Sequence, residues 1–173
     1  MPIIVDTNCL ANVFSRNTAK HSEFKPVLNW IIFGKGMLVY GGSKYKAELR
    51  IANKYLRIFR LLREVGKAIN GNDKNIDQIQ DKIESTKDSE KFNDVHLVAI
   101  SIDTKCRLIC SEDIRSIKYV TDRKYFPKGC LQPVFYTSSS NADLLCDKYV
   151  DSSLKPLCKI KKSIADQIFE KLP

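Results

Sequence analysis

The sequence predicts an α/β fold with three layers, α/β/α, around a mostly parallel central sheet. Three observations carry this. Short, largely apolar runs at 3–5, 37–40, 107–110 and 134–136 have the length and composition of strands buried on both faces. Longer segments between them place apolar residues at helical spacing. Strand and helix alternate along the chain, and parallel strands joined by helical crossovers need helices on both faces of the sheet.

Each element has its own justification. Residues 3–5 form a strand ending at Asp6, and a helix begins near Asn8, with Leu10, Val13 and Phe14 apolar. A second helix covers 24–33, with Pro26 in its first turn, where a missing N–H costs little. Gly34 to Gly36 turns the chain into the strand 37–40. Gly41-Gly42 then interrupts, and Ser43 is the expected N-cap. The longest helix follows over about 44–68, with Ile51, Ala52, Tyr55, Ile58, Phe59, Leu62 and Val65 on one face. Residues 70–91 are polar and lysine-rich, but Ile76, Ile79 and Ile83 keep a helical period, as a surface helix would. Residues 94–101 read as a buried helix, 107–110 as a strand and 116–120 as a short helix or strand. Pro127-Lys128-Gly129 turns into the last strand at 134–136, and 138–141 is a loop. The lysine-bearing tail from 153 to 172 ends in an amphipathic helix. The expected organisation is one domain over 1–145 and a C-terminal extension over 146–173, helical and packed on it.

The bulk properties narrow the classes. At 173 residues the chain can bury one core, and 43% hydrophobic with 28% charged residues is ordinary for a globular protein. No apolar stretch reaches about 18 residues, so no membrane span is expected. The opening residues, ending on Asp6, are too short and acidic for an export signal, and a cytoplasmic protein is expected. Six cysteines (Cys9, Cys106, Cys110, Cys130, Cys146 and Cys158) form no CxxC pair and read as free thiols. A zinc site from Cys106 and Cys110 with His21 or His96 lacks a second ligand pair at suitable spacing. The net charge of +9 favours a polyanionic partner: RNA, DNA or an acidic protein.

The acidic residues carry the chemistry. Ligands of open α/β sheets gather at the carboxyl ends of the strands. Asp6 ends the first strand there, and Asp113 follows the strand 107–110. Either alone reads equally well as a helix cap. Glu48 shares the apolar face of its expected helix, opposite Lys46, Arg50 and Arg57, so its carboxylate points inward. It must be protonated, bound to metal or paired, for instance with Lys44 one turn earlier. Asp94 opens the buried helix, where the helix dipole also favours it. If the four converge, their repulsion calls for a hard divalent cation, Mg²⁺ or Mn²⁺.

Ile3-Ile4-Val5-Asp6-Thr7-Asn8 is similar to the opening of PIN domains, in which a strand delivers the first catalytic aspartate. Glu48 matches the family's helix-borne glutamate. Asp94, within Asn93-Asp94-Val95-His96-Leu97-Val98-Ala99-Ile100, resembles the third acidic position, and Leu108-Ile109-Cys110-Ser111-Glu112-Asp113 the strand and turn that carry the fourth. The resemblance covers residues 1 to about 145. In a bacterial and archaeal PIN subgroup an Asp-Phe pair and a Pro-Arg-Gly-like turn follow. Here the turn is Pro127-Lys128-Gly129, but the pair is not intact, since Asp122 and Phe126 stand apart. Whether Asp122 joins the site stays open, as does whether Glu112 replaces or assists Asp113.

The resemblance implies metal-dependent hydrolysis of single-stranded nucleic acid, usually RNA. Asp6, Glu48, Asp94 and Asp113 would be the catalytic and metal-binding set, with Thr7, Asn8, Ser111 and Glu112 as the groups that orient it. His96 could reach substrate but is more often a satisfied partner one turn into a helix. Lys46, Arg50, Arg57 and Arg60 are the candidate RNA contacts, and Tyr45, Tyr119 and Tyr125 the candidate stacking rings. The same basic face would also suit an acidic protein. Many small PIN proteins are toxins held by antitoxins, so an acidic antitoxin-like partner and a homodimer are both open. The alternative is a non-catalytic PIN-fold module that binds nucleic acid or protein. A small-molecule phosphatase is disfavoured: no Gly-rich phosphate loop follows a strand, and Asn8 stands where a second Asp would be needed.

Overall fold

The computed structural model describes residues 2–87, 90–146 and 159–173. Its sheet has five strands: β1 (Pro2–Val5), β2 (Met37–Tyr40), β3 (Ala68–Asn70), β4 (Leu108–Cys110) and β5 (Val134–Tyr136). Their order is β3-β2-β1-β4-β5 and every pairing is parallel. Between the strands run α1 (Leu10–Phe14), α2 (His21–Ile32), α3 (Ser43–Ile51), α4 (Leu56–Glu64), α5 (Asp73–Glu84), α6 (Val95–Thr104) and α7 (Ile114–Val120), and α8 (Lys162–Glu170) closes the chain. Right-handed crossovers put α1 to α4 on one face of the sheet and α5 to α7 on the other. The packing agrees: α1 lies on α2, α5 on α6 and α6 on α7, while α8 joins the first layer against α2 and α4. The architecture is the α/β/α sandwich that the alternating pattern predicts.

Burial follows the reading of the strands. β1, β2 and β4 are covered along their whole length, as unbroken runs such as Ile3-Ile4-Val5 require. The core continues through Phe14, Phe24, Leu28 and Ile31 on one side and Phe92, Leu97, Val98 and Ile100 on the other. On α8, Ala165 and Ile168 are buried, the Phe169 ring lies 5.5 Å from that of Phe33, and the Arg16 guanidinium sits 4.0 Å over it. The expected start of the tail, at 153, lies outside the described residues, as does Cys158. The described cysteines are free thiols.

The single helix expected over 44–68 is not one element. α3 stops at Ile51, Ala52 leaves helical geometry at ψ 45°, Asn53–Tyr55 form a 3₁₀ turn, α4 runs to Glu64, and the chain then enters β3, which the sequence reading did not find. The cause is a phase slip in the apolar pattern. Tyr45 and Leu49 are buried one turn apart, and continuing their ridge would bring Ala52, Leu56 and Arg60 inward. The residues that are buried are Tyr55, Ile58, Phe59 and Leu62, a set shifted along the helix. Breaking the helix lets both sets face the core. Ile51, expected on the apolar face, is instead 86% exposed. Smaller differences have local causes. α2 begins at His21, so Pro26 sits in its second turn. The loop expected over 138–141 instead opens a 3₁₀ segment, Ser139–Leu144, capped by Ser138.

Ser43 is not the N-cap of α3. Gly42 holds that place at φ +80°, in the left-handed region, and its N–H donates to Asp73 (2.9 Å). A β-carbon there would meet Ile76 Cγ2 at 2.6 Å. Gly129 has a similar φ, +89°, with open space around it. Gly42→Ala is therefore expected to cost about 2–4 kcal/mol and Gly129→Ala only about 1–2, the backbone term alone. Chemical denaturation of the two variants side by side checks this, and equal losses would mean that the Ile76 contact is not limiting.

Candidate functional site

The strand order reverses between β1 and β4, which makes the crevice outside their carboxyl ends the topological switch point of the sheet. Val5 pairs with Cys110, and the Asp6 N–H donates to the Cys110 carbonyl (2.9 Å), so Asp6 and Ser111 emerge side by side. The Ser111 hydroxyl donates to Asp6 Oδ2 (2.8 Å) and accepts from the Asp113 N–H (3.2 Å), tying the two strand ends together. Asp6 is only 3% exposed. Its carboxyl is raised to about 6, chiefly by burial and further by the Asp94 and Glu48 carboxylates, against the lowering effect of Ser111 and the Asn8 N–H.

Glu48 reaches the same place from α3. It does not pair with Lys44. Its Oε2 accepts from the Thr7 hydroxyl (2.6 Å), just after Asp6 in the chain. Tyr45, one turn earlier, is buried and donates its O–H to the Val5 carbonyl (2.6 Å), pinning α3 to the end of β1. The ring expected as a stacking surface is thus a core strut. Burial pushes its phenol well above the usual tyrosine range, helped by Asp6 and Glu48. Lys44 reaches instead to the Asn93 carbonyl, beside Asp94, and its ammonium donates there.

Asp94 precedes α6 and makes no cap hydrogen bond through its side chain. Its carboxyl is raised, mainly by burial and also by Asp113, while the Ser116 hydroxyl and the Lys44 charge pull it down. Asp113 behaves more as a cap: its Oδ1 accepts from the Arg115 N–H (3.0 Å) and from Arg115 Nε (3.2 Å). His96, in the first turn of α6, is 2% exposed. Its Nε2 lies 3.5 Å from Glu48 Oε2, and the Asn93 backbone is its polar neighbour on the main chain. Burial, with the Lys44 charge, lowers its pKa to about 3, so the ring is neutral near pH 7.

Asp6, Glu48, Asp94 and Asp113 thus act on one another in pairs along the edge of the sheet. As they stand they do not form a closed ring: among the described residues no three His, Cys, Asp or Glu side chains are drawn together enough to hold a metal ion. The two acids left open by the sequence are engaged elsewhere. Glu112 accepts from Lys20 (2.7 Å) and Asn12 (3.3 Å), and Asp122 caps the turn Arg123–Tyr125 and pairs with Lys124 (3.3 Å). Asn8 is exposed and contributes its N–H to Asp6 (3.4 Å).

One basic surface flanks these acids, and a second lies apart from them. A cleft of about 640 Å³ opens beside Asp94 and Asp113 and is rimmed by Lys91, Arg115 and Lys118. Of this cleft the sequence singles out Asp94, Asp113 and Tyr119 but not the cations, which come from segments that only the fold brings together. The basic set chosen on sequence lies elsewhere. Lys46, Arg50 and Arg60, with Arg63, line a separate depression of about 270 Å³ over Leu49, Leu56 and Phe59, and Arg57 is not part of it. Lys46 is paired with Asp73. Lys46 and Arg50 stand two residues either side of Glu48, a spacing that puts them on other faces of α3. Of the other rings expected to stack, Tyr119 lies against Phe92 (5.7 Å), and Tyr125 packs on the same ring (5.2 Å).

Comparison with family models, with curated proteins and with solved structures returns no match. The functional reading therefore rests on this geometry.

The Asp6 shift has a sign that can be measured. Its folded pKa of about 6 exceeds the ordinary aspartate value of 3.8, so the folded state binds the extra proton between those values. That stability is complete below about pH 4 and lost as pH rises through about 6. Without metal, Asp6→Asn should melt higher than the natural protein at pH 7.5, by on the order of 2–3 kcal/mol at most, and the gap should close near pH 4. Melting curves across that range test it, and a gap that does not change with pH would show that Asp6 carries no such strain.

Proposed function

We propose that the chain is a metal-dependent nuclease that hydrolyses phosphodiester bonds of single-stranded RNA, the activity of the PIN domains its acidic residues resemble. One observation carries the reading: Asp6 is buried at the switch point of the sheet beside two further carboxylates, Glu48 and Asp94, that raise its pKa. A fold bears such repulsion where a ligand relieves it. The donors are oxygens of carboxylates and hydroxyls, the chemistry that suits Mg²⁺ or Mn²⁺. Asp6, Glu48 and Asp94 would hold the ion, with Asp113 at the outer edge. Such an ion, when bound, polarises the phosphoryl group and lowers the pKa of an attacking water.

The protein's own part is positioning. Thr7 fixes one oxygen of Glu48, and Ser111 fixes one of Asp6. Lys91, Arg115 and Lys118 set the phosphates of a single strand along the cleft beside Asp94 and Asp113. A toxin held by an acidic antitoxin-like protein is the role the resemblance suggests, and the depression rimmed by Arg50, Arg60 and Arg63 has the matching charge. One observation favours the alternative, a non-catalytic binding module: no three ligating side chains are drawn together among the described residues.

Cleavage separates the two readings. With Mn²⁺ or Mg²⁺, labelled single-stranded RNA should be cut and p-nitrophenyl phosphate left alone. Asp6→Asn, Glu48→Gln and Asp94→Asn should each lower turnover by about a hundredfold or more, the scale on which one fixed group in a transition-state site is felt. Unchanged turnover in all three variants would end the nuclease reading. In RNA binding, replacing Lys91, Arg115 and Lys118 with Gln should flatten the salt dependence by about 2 in slope, at about 0.7 per lost phosphate contact. The same change at Arg50, Arg57 and Arg60 should leave the slope alone, and the reverse pattern would move the RNA track to α3 and α4.

A further inference from the structure

We propose that the hollow between α3 and α4 is the docking site of an acidic amphipathic helix, which seats one large apolar side chain on Leu49, Leu56 and Phe59 and pairs its carboxylates with Arg50, Arg60 and Arg63. It concerns the acidic protein considered above, but it stands on this surface alone and needs neither a metal ion nor cleavage. The hollow exists because the helix breaks at Ala52 and resumes as α4. Lys46, Leu49 and Arg50 form a stripe on α3 at i, i+3 and i+4, and Leu56, Phe59, Arg60 and Arg63 continue the pattern to i+7 on α4. The two stripes are the walls of one depression of about 270 Å³. Ile51 and Leu56, on either side of the break, are 86% and 40% exposed, two of the five large apolar side chains that reach solvent among the described residues. Lys46 is held by Asp73, but Arg50, Arg60 and Arg63 have no carboxylate partner among the described residues. An apolar floor ringed by unpaired guanidinium groups is the anatomy of an interface core with its polar rim.

The chemistry selects the occupant. The volume lies below the range of about 300–1,000 Å³ usual for small-molecule pockets and suits one protein side chain. The walls are helices, whose backbone groups are bonded internally, so an extended strand finds no edge to pair with, and a helix laid in the groove is the mode that fits. Guanidinium groups take carboxylates in two parallel bonds. Arg50 lies on one wall and Arg60 and Arg63 on the other, so acidic residues one turn before and after the apolar anchor meet both. A second copy of the chain does not fit, because a two-fold contact would set the arginines of one copy against those of the other. Single-stranded RNA fits poorly, since it needs open rings on which bases stack. Phe59 and Tyr40 are only 3% and 5% exposed, and the apolar surface that is open is aliphatic.

The test uses the whole chain, with a chelator present, and two fluorescein-labelled peptides of about 20 residues, a length that supports a helix. In one, Leu recurs on a single helix face with Glu one turn to either side; in the other, the same residues are scrambled so that no such face forms. Fluorescence anisotropy should show the patterned peptide binding at least about tenfold more tightly than the scrambled one. Leu56→Gln and the double variant Arg60→Glu, Arg63→Glu should each weaken it by about tenfold or more, the scale of an interface anchor. Arg57→Glu, the same charge change outside the hollow, should weaken it by less than about threefold, because exposed charges at a distance are screened. Arg60 and Arg63 are exposed, so the double variant decides the matter should Leu56→Gln not fold. Equal binding of the two peptides, or an equal loss in Arg57→Glu, would overturn the inference, since the net charge of the chain would then explain the attraction. Failure of the patterned peptide to bind would also overturn it. If labelled single-stranded RNA competes with the peptide and is weakened as much by the double variant, the hollow belongs to RNA instead. Cleavage of RNA is read in a separate assay, so the nuclease proposal can fail while this one stands, and the reverse.

Discussion

A carboxylate buried where the central strand ends is the constraint on which the rest of this structure depends. Asp6 lies at the carboxyl end of β1, the middle strand of the sheet, with its N–H bonded to Cys110 and its side chain to Ser111. Burying it is unfavourable, as its raised pKa shows, and the surrounding chain is arranged to limit the cost. Register places Ser111 alongside it, the Thr7–Cys9 turn directs the Asn8 N–H at it, and Tyr45 ties α3 down so that Glu48 and Thr7 meet just above it. A parallel sheet with reversed order at β1 and β4 is the scaffold that opens a crevice at that point.

How legible this was in the sequence depends on how far each feature reaches along the chain. The strands are local: Met37–Tyr40 and Val134–Tyr136 are runs of apolar residues bounded by turn formers, and both form where expected. β3 failed that test because it is short, opens at a buried lysine's neighbour and follows a helical pattern without a breaker except Gly66. The helix break at Ala52 had a signal that a single wheel hides. Tyr45 and Leu49 belong to one phase, Tyr55, Ile58, Phe59 and Leu62 to another, and an unbroken helix would have to bury about half its circumference to cover both. Reading one wheel across 44–68 put Ile51 inside, where the structure puts it in solvent.

The candidate site divides in the same way. The acids after β1 and β4 follow from strand ends, and Glu48 and Asp94 from their places at helix starts. The cations that rim the cleft do not, because Lys91 precedes α6 while Arg115 and Lys118 ride on α7. Nothing in their spacing connects them. The lysines and arginines of α3 and α4, by contrast, are dense in sequence and drew the reading toward a surface on other faces of α3 from Glu48. Clustering along a chain measures local charge, whereas a nucleic-acid track is a property of surface.

The partners of the acidic residues separate the site from its surroundings. Glu112, Asp73 and Asp122 are each held by a lysine: Lys20, Lys46 and Lys124. Glu23 and Asp77 accept from the backbone N–H of Ser139 and Ser43 at the start of helical turns, as caps do. Asp6 and Glu48 are held by the hydroxyls of Ser111 and Thr7, with like-charged neighbours nearby. A lysine would neutralise the carboxylate it positions. A hydroxyl fixes one oxygen and leaves the charge available. Asp113, which has Arg115 against it, belongs by this criterion with the structural acids more than with Asp6. The distinction also bears on Lys44. It is near enough to lower the Asp94 pKa, yet its ammonium donates to the Asn93 carbonyl, so it tempers the repulsion without closing the site as an ion pair with Glu48 would have done. An edge organised in this way retains unneutralised oxygens at its centre and keeps its cations at the rim, the distribution that a bound cation and an approaching phosphate require together.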